Sequence, residues 1–208
     1  MISIKTRPEV IAVVGCMWQS ALVYIKEQSE RMNYIHRYDS PMGGITFASD
    51  GERLTGLWLD GQKYFADTLK GEATDQMLPV FEETIRWLDI YFSGNEPDFT
   101  PPLSMKGSPF RQEVWGILLT IPYGQTMTYG EIAKIMAERR GLERMSAQAV
   151  GGAVGHNPIS IIVPCHRVVG TNGSLTGYAG GVDKKVKLLA LEKADMTKLF
   201  VPQKGTAL

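Results

Sequence analysis

Between Asn95 and Ser108 the chain carries Pro97, Pro101, Pro102 and Gly107 and shows no apolar period. Proline lacks the backbone donor that helix interiors and central strands require, so neither kind of element can run through this stretch. It divides two patterns of opposite type. Before it, apolar residues alternate along short runs; after it, they recur at helical spacing. A chain of 208 residues can hold one large domain or two small ones and bury a proper core. The expected class is α+β. Residues 32–95 form a small N-terminal structural domain with an antiparallel sheet and a helix, 96–107 a linker, 108–195 a mostly helical C-terminal domain, and 196–208 a tail.

In the N-terminal part Tyr34, His36 and Tyr38 alternate ahead of the turn Ser40-Pro41-Met42-Gly43-Gly44. Ile45, Phe47 and Ser49 lead to Asp50-Gly51, and Leu54 to Leu59 lead to Asp60-Gly61. Asp-Gly pairs between such runs predict hairpins, because both residues tolerate the positive φ of tight turns. Met77, Phe81, Ile85, Leu88 and Phe92 then share one helical face, with Thr74 the expected cap and Gly94 the expected end. His36 stands here without a cluster of ligands or bases, so this part reads as structural. Residues 1–31 have no settled role. Val10 to Trp18 superficially resembles a signal peptide, but Pro8 and Glu9 abut it on one side and Gln19, Ser20 and Lys26 break the apolar character on the other. The run falls short of the roughly 18 apolar residues of a membrane span. An extra helix and an extension upstream of a start at Met32 both remain open.

Beyond the linker, Ser108-Pro109 opens a helix whose buried face is Phe110, Val114, Ile117 and Leu118. Thr128-Tyr129-Gly130-Glu131 is a capping box for a second helix through Ile132, Ile135 and Met136. Ser146 caps a third, Ala147 to Val154, whose adjacent Gly151 and Gly152 cost about 1 kcal/mol each relative to alanine. Small residues permit close approach of another backbone. Two short helices joined by a loop suggest a helix-turn-helix with a loop longer than the usual tight turn, and close packing between helices is the alternative. Asp183 is the expected cap of a last helix, with Val186, Leu189 and Leu191 inside and Glu192 near its end.

Cys165 sits between Pro164 and His166 after the apolar run Ile159 to Val163, which reads as a short buried strand. A thiol is mostly protonated at neutral pH, and the thiolate is the nucleophile, so a reactive Cys165 needs a base and a group to orient that base. In an extended segment neighbouring side chains point to opposite faces, so His166 would have to act through a water or a bend. Glu192 is a candidate orienting carboxylate. These residues alone leave a nucleophile and a buried structural cysteine both open.

Pro164-Cys165-His166-Arg167-Val168-Val169 resembles the acceptor motif of the methylated-DNA–protein-cysteine methyltransferases, the O6-alkylguanine-DNA alkyltransferase family, in its bacterial type. Gly151-Gly152-Ala153, Asn157-Pro158, Gly177-Tyr178-Ala179-Gly180-Gly181, Leu188-Leu189 with Glu192, and Pro122-Tyr123-Gly124 through Thr128-Tyr129 occur in the family's order and spacing. The resemblance spans Met32 to Lys193. It implies a ribonuclease H-like N-terminal domain and direct-reversal DNA repair in a single turnover. O6-alkylguanine, with O4-alkylthymine as a second substrate, would be flipped from duplex DNA and its alkyl group moved irreversibly to Cys165. His166 would deprotonate Cys165 through a water and Glu192 would polarise His166. Asn157 would tie the helix-turn-helix to the acceptor segment, and Tyr129 would donate a proton to guanine N3. Ala147, Gln148, Gly151, Gly152 and Arg167 would contact DNA, with the third helix in the minor groove. Tyr178, Ala179, Gly180 and Val154 would line the guanine pocket. One departure stands out: the family commonly has an arginine where this chain has Gln148, which lacks a cation's charge and stacking plane.

Charge fits that picture. Residues 101–208 carry 13 Lys and Arg against 7 Asp and Glu, leaving 9 against 15 for residues 1–100 out of 22 of each sign. A basic half points to a polyanion, with uneven surface charge as the alternative. Two cysteines, Cys16 and Cys165, make neither a disulfide framework nor a four-ligand zinc site, which favours a reducing compartment and a cytoplasmic location. No cofactor, metal or membrane is expected, and the protein is expected to be a monomer. Two other classes compete. A Cys165–His166 hydrolase would turn over, and a purely DNA-binding relative would lack the cysteine.

Overall fold

The computed structural model describes residues 33–202. The expectations for residues 1–31, Cys16 included, and for the end of the tail lie outside the described residues. The α+β expectation holds, with a four-stranded sheet and one helix followed by a helical part. The strands are β1 (Asn33–Ser40), β2 (Gly43–Ser49), β3 (Leu54–Leu59) and β4 (Ala73–Asp75), in the order β3-β2-β1-β4. β1 and β2 pair antiparallel with Tyr38 opposite Ile45, and β2 and β3 with Phe47 opposite Leu57. A shift in register at Ala48 and Ser49 bends β2.

Two features differ from the hairpin reading. Asp50-Gly51 does connect an antiparallel pair, but Asp60-Gly61 turns the chain into an irregular segment that returns as β4, parallel to β1. Thr74 lies in β4, opposite Tyr34, and caps nothing. Helix α1 (Pro79–Phe92) instead begins after Leu78, which offers no side-chain cap, so Pro79 alone sets its first turn. Met77 precedes the helix and is 43% exposed. Phe81 and Leu88 are buried, with Phe81 against Phe47 at 5.8 Å between ring centroids. Ser93 closes the helix and Gly94 comes next at φ 82°, a conformation that suits glycine.

The helical part comprises α2 (Pro109–Leu118), β5 (Met127–Thr128), α3 (Tyr129–Arg139), α4 (Ala147–Gly155), β6 (Val168–Val169) and α5 (Val182–Leu191). Ser108 caps α2, Thr128 and Glu131 form the reciprocal capping box of α3, and Ser146 caps α4. The cap of α5 is Gly181 at φ 94°, not Asp183, which sits in the first turn where its charge favours the helix dipole. β5 pairs parallel with β6, Thr128 opposite Val169, joining the start of α3 to the end of the cysteine turn.

One continuous core joins sheet and helices, from Ile45, Leu57 and Phe81 to Val114, Trp115, Ile132, Val154 and Val163. The free edge of β3 is used twice. Leu54 N–H donates to the Pro102 carbonyl and Ser104 N–H to the Leu54 carbonyl, both at 2.8 Å, pinning the proline-rich segment. Leu57 N–H donates to the Pro158 carbonyl and Ser160 N–H to the Leu57 carbonyl, both at 2.9 Å. Unpaired strand edges invite association, and here they hold the approach to Cys165.

That approach is not the strand expected from Ile159 to Val163. Only Ile159 bridges β3; the chain then turns, with Ile161 at φ 70° and Val163 N–H donating to the Ile159 carbonyl at 3.1 Å. A β-branched residue in the left-handed region is a true outlier, held at a cost on the order of 1–3 kcal/mol by its surroundings. Ile161 is fully buried, so packing offsets the strain.

Candidate active site

Cys165, His166 and Arg167 form a single 3-10 turn entered from Pro164. At three residues per turn, successive side chains leave about 120° apart. The three therefore diverge, and each meets a different set of partners.

Cys165 is 4% exposed. The Asn157 amide lies 3.1 Å from its Sγ, and also donates to the carbonyls of Val163 at 2.7 Å and Ile159 at 3.2 Å. Asn157 Oδ1 accepts from Ile159 N–H, and Asn157 N–H donates to the Val154 carbonyl at the end of α4. One buried amide thus links the last turn of α4 to the thiol. Burial pushes the Cys165 thiol above its ordinary value, against the pull of Asn157 and of the charge on Lys185. The resting group is a thiol, and a base is needed to activate it.

His166 is fully buried, with Nε2 at 2.6 Å from Glu192 Oε1. Burial lowers the imidazole below its ordinary value, in spite of Glu192. A neutral ring facing a carboxylate must carry its proton on Nε2. Nδ1 is then the lone pair, and it meets no hydrogen-bond partner among the described residues.

Glu192, the cap residue at the end of α5, collects donors. Tyr91 hydroxyl donates to Oε1 at 2.7 Å, Arg167 Nε to Oε2 at 2.8 Å and Nη2 to Oε1 at 3.1 Å, and Gly124 N–H to Oε2 at 3.2 Å. Burial pulls the carboxyl upward, but His166 and the Arg167 guanidinium outweigh it and hold it below the usual carboxylate range. The position expected for Arg167, on DNA, is corrected: it is buried, its fork is closed on Glu192, and Nη1 donates to the Ile121 carbonyl at 2.6 Å. A buried guanidinium needs a carboxylate more than the surface needs one more cation.

Tyr129, first residue of α3, donates to the Thr176 carbonyl at 3.2 Å. Burial, helped by the charge Cys165 carries as a thiolate, pushes its hydroxyl up to about 12. Gly177 faces it at φ 70°, and a Cβ there would come 2.8 Å from the Tyr129 oxygen. Tyr178 is buried with no partner for its hydroxyl among the described residues, edge-on to His166 at 6.3 Å. Ala179 is joined to the sheet part through its carbonyl, which accepts from Lys63 N–H at 2.9 Å, and Gly180 closes against Tyr178 and Leu59. Val154, on the buried face of α4, is 1% exposed. On α4 itself Ala147, Gln148 and Gly152 are exposed, while Gly151 approaches the Tyr129 ring.

The structure therefore gathers Cys165, Asn157, His166, Glu192, Tyr129 and Tyr178, and leaves Gln148 and its neighbours on the surface. Two participants were missed from sequence. Tyr91 comes from α1 in the sheet part and nothing local marks it. Lys185 is buried, with Nζ on the carbonyls of Val168 at 2.5 Å and Thr176 at 2.7 Å, and burial brings it down to about 8. Its spacing of three and four from Leu188 and Leu189 places it on the buried face of α5, unlike Lys187, and would have singled it out.

Comparison with known proteins covers most of the described chain. Residues 33–105 match the family model described as 6-O-methylguanine DNA methyltransferase, ribonuclease-like domain, and residues 109–194 match its DNA binding domain. The methylated-DNA–protein-cysteine methyltransferase of Mycobacterium tuberculosis is 43% identical over 170 residues, covering 80% of this chain and 98% of that one. The inducible enzyme of that name from Bacillus subtilis is 38% identical over 164 residues, covering 78% and 87%. Among solved structures, the M. tuberculosis O6-methylguanine methyltransferase superposes with a TM-score of 0.66 at 42% identity, covering 83% of this chain and 97% of that one. The M. tuberculosis protein in complex with DNA superposes at 0.65 and 43% identity, covering 78% and 92%. No helix among the described residues is long and apolar enough to cross a membrane.

Proposed function

The chain belongs to the 6-O-methylguanine DNA methyltransferase family, the methylated-DNA–protein-cysteine methyltransferases, and from that premise we propose how its own residues repair DNA by alkyl transfer. The observation that carries the reading is the buried relay from Glu192 through His166 to the cysteine turn, tied by Asn157 to the end of an exposed helix of small residues.

Duplex DNA lies along the exposed face of α4, which enters the minor groove, and an O6-alkylguanine is rotated out toward Cys165. Tyr178, Ala179 and Gly180, with Val154 beneath, border the pocket that takes the base. Glu192 fixes the imidazole so that Nδ1 accepts the thiol proton through a bridging water. The Cys165 thiolate, favoured by the Asn157 amide and the nearby Lys185 ammonium, attacks the alkyl carbon. The S–C bond forms as the C–O6 bond breaks, and Tyr129 donates toward guanine N3 as the leaving base gathers negative charge. The proton held on His166 then returns through water to Tyr129, so the proton lost by the thiol is the net proton that the guanine gains. A thioether is not a leaving group under these conditions, so each molecule acts once. The same geometry accepts O4-alkylthymine. The protein acts as a monomer in the cytoplasm, on double-stranded DNA and without a cofactor.

Intact mass after incubation with a duplex containing O6-methylguanine tests this. One methyl group per protein, on the peptide holding Cys165, is expected. Repeated turnover without a mass gain would instead identify a cysteine hydrolase.

A further inference from the structure

A groove of about 690 Å³ lies between the segment after β3 and the start of α2, apart from the site described above. Lys70, Lys106 and Arg111 line it together with Asn33, Asp67 and Thr68. Three cations face a single carboxylate. None of the three makes an ion pair among the described residues, whereas Arg37, Arg140 and Arg167 each do. Lys70 and Lys106 are exposed and Arg111 half-buried, so the groove is open to a partner from outside.

Both walls are fastened to the same end of α4. On one side Tyr64, three residues before Asp67, stacks on His156 at the end of α4 with ring centroids 4.0 Å apart. On the other, Trp115 of α2 donates to the Ala153 carbonyl at 2.9 Å, and Gly107 closes on the same indole. α4 has 9 residues and is therefore about 13 Å long. Its exposed start is at one end of that length, and the segments that carry the walls of the cationic groove are fastened to the other. A helix crossing a minor groove roughly 6 Å wide has the sugar–phosphate strands on both sides, within that reach.

We propose that this groove receives backbone phosphates of the duplex held by α4, a second DNA contact built jointly by the two parts of the chain. The occupant is set by charge: three uncompensated cations beside a helix that meets a polyanion complement phosphodiesters. The inference rests on the DNA-binding reading of α4. It also recruits Lys70 from the acidic half, which the charge asymmetry of the sequence had set aside.

The test is binding of a labelled unmodified duplex at several salt concentrations, with melting temperature as the check on folding. Each phosphate contact contributes about 0.9 to the slope of log affinity against log salt. The triple variant Lys70→Gln, Lys106→Gln, Arg111→Gln is expected to flatten that slope by about 2–3 and to bind at least about tenfold more weakly at low salt. The loss is the same for a duplex containing O6-methylguanine, because phosphate contacts carry no base information. Asp67→Asn is expected to tighten binding severalfold. A folded triple variant with an unchanged slope overturns the proposal, provided Gln148→Glu on α4 weakens binding. If Gln148→Glu also leaves binding intact, the DNA reading of α4 falls with it.

Discussion

The cysteine turn and the exposed face of α4 are neighbours, joined through Asn157, yet they are built in opposite ways. In the turn nearly every polar atom is committed: Glu192 alone takes donors from His166, Tyr91, Arg167 and Gly124. On α4, Ala147, Gln148, Ala149 and Gly152 offer solvent small side chains and one amide, with nothing to hold them. The chemistry is fixed in advance, and on the reading proposed above the bare face of α4 is what lets DNA approach its backbone. A substitution in the turn should therefore damage fold and reaction together, and one on α4 should change only what happens with duplex.

Glu192→Ala is the strongest attempt to break that contrast. It leaves Arg167 buried without its partner, a loss of about 3–5 kcal/mol, and frees His166 to rotate. Denaturant melts should show that loss, and the first-order rate of alkyl transfer should fall at least about a hundredfold. Full stability with lost activity would mean that the network serves chemistry alone. Asn157→Ala comes next. Removing the side-chain amide leaves the Ile159 N–H without its acceptor, at about 1–3 kcal/mol, and withdraws the donor that favours the thiolate. The rate with free O6-benzylguanine should drop and its rise with pH should move upward; an unmoved pH profile would remove Asn157 from activation of the thiol.

Acid gives a smaller, graded effect. The folded protein holds His166 neutral below its ordinary value of 6.5, so the unfolded chain binds that proton first. Stability should be complete above about pH 6.5 and decline as pH falls through that value. Glu192, depressed in the folded state, adds a second loss in the same direction below its ordinary 4.5. Melting temperatures of the wild type and His166→Gln across that range measure the first part, and parallel curves would refute it. The mildest change sharpens the contrast from the other side. Gln148→Arg should speed transfer from duplex severalfold and leave reaction with free O6-benzylguanine unchanged; equal acceleration of both would place Gln148 outside DNA handling.

The features legible in the sequence were those that short-range rules govern. Ser108 with Pro109, Thr128 with Glu131, and Ser146 are caps that act over three residues, and all three appear as expected. Thr74 and Asp183 failed because a capping side chain elsewhere cannot announce itself: an unassisted Leu78 and a positive-φ Gly181 start those helices. Ile159 to Val163 looked like a strand because buried β-branched runs read alike whether extended or turned. Arg167 was placed on DNA by the resemblance, since adjacency to Cys165 gives no direction, and a 3-10 turn sends it inward. Tyr91 and Lys185 reach the site from α1 and α5, contacts set by packing over long separations. The family resemblance supplied Asn157, Tyr129 and Tyr178; residue chemistry alone had not.

The edge of β3 has a consequence for how the chain must fold. Its partners at Pro158 and Ser160 arrive late, with 98 residues separating Gln62 from the Ser160 hydroxyl it receives. During synthesis the sheet is complete long before the segment that covers its rim leaves the ribosome. Pairing over such a span slows closure, and the exposed rim meanwhile can pair with other chains. A fragment ending before Ser108 should accordingly aggregate rather than behave as an autonomous domain, and early termination of translation should yield insoluble product.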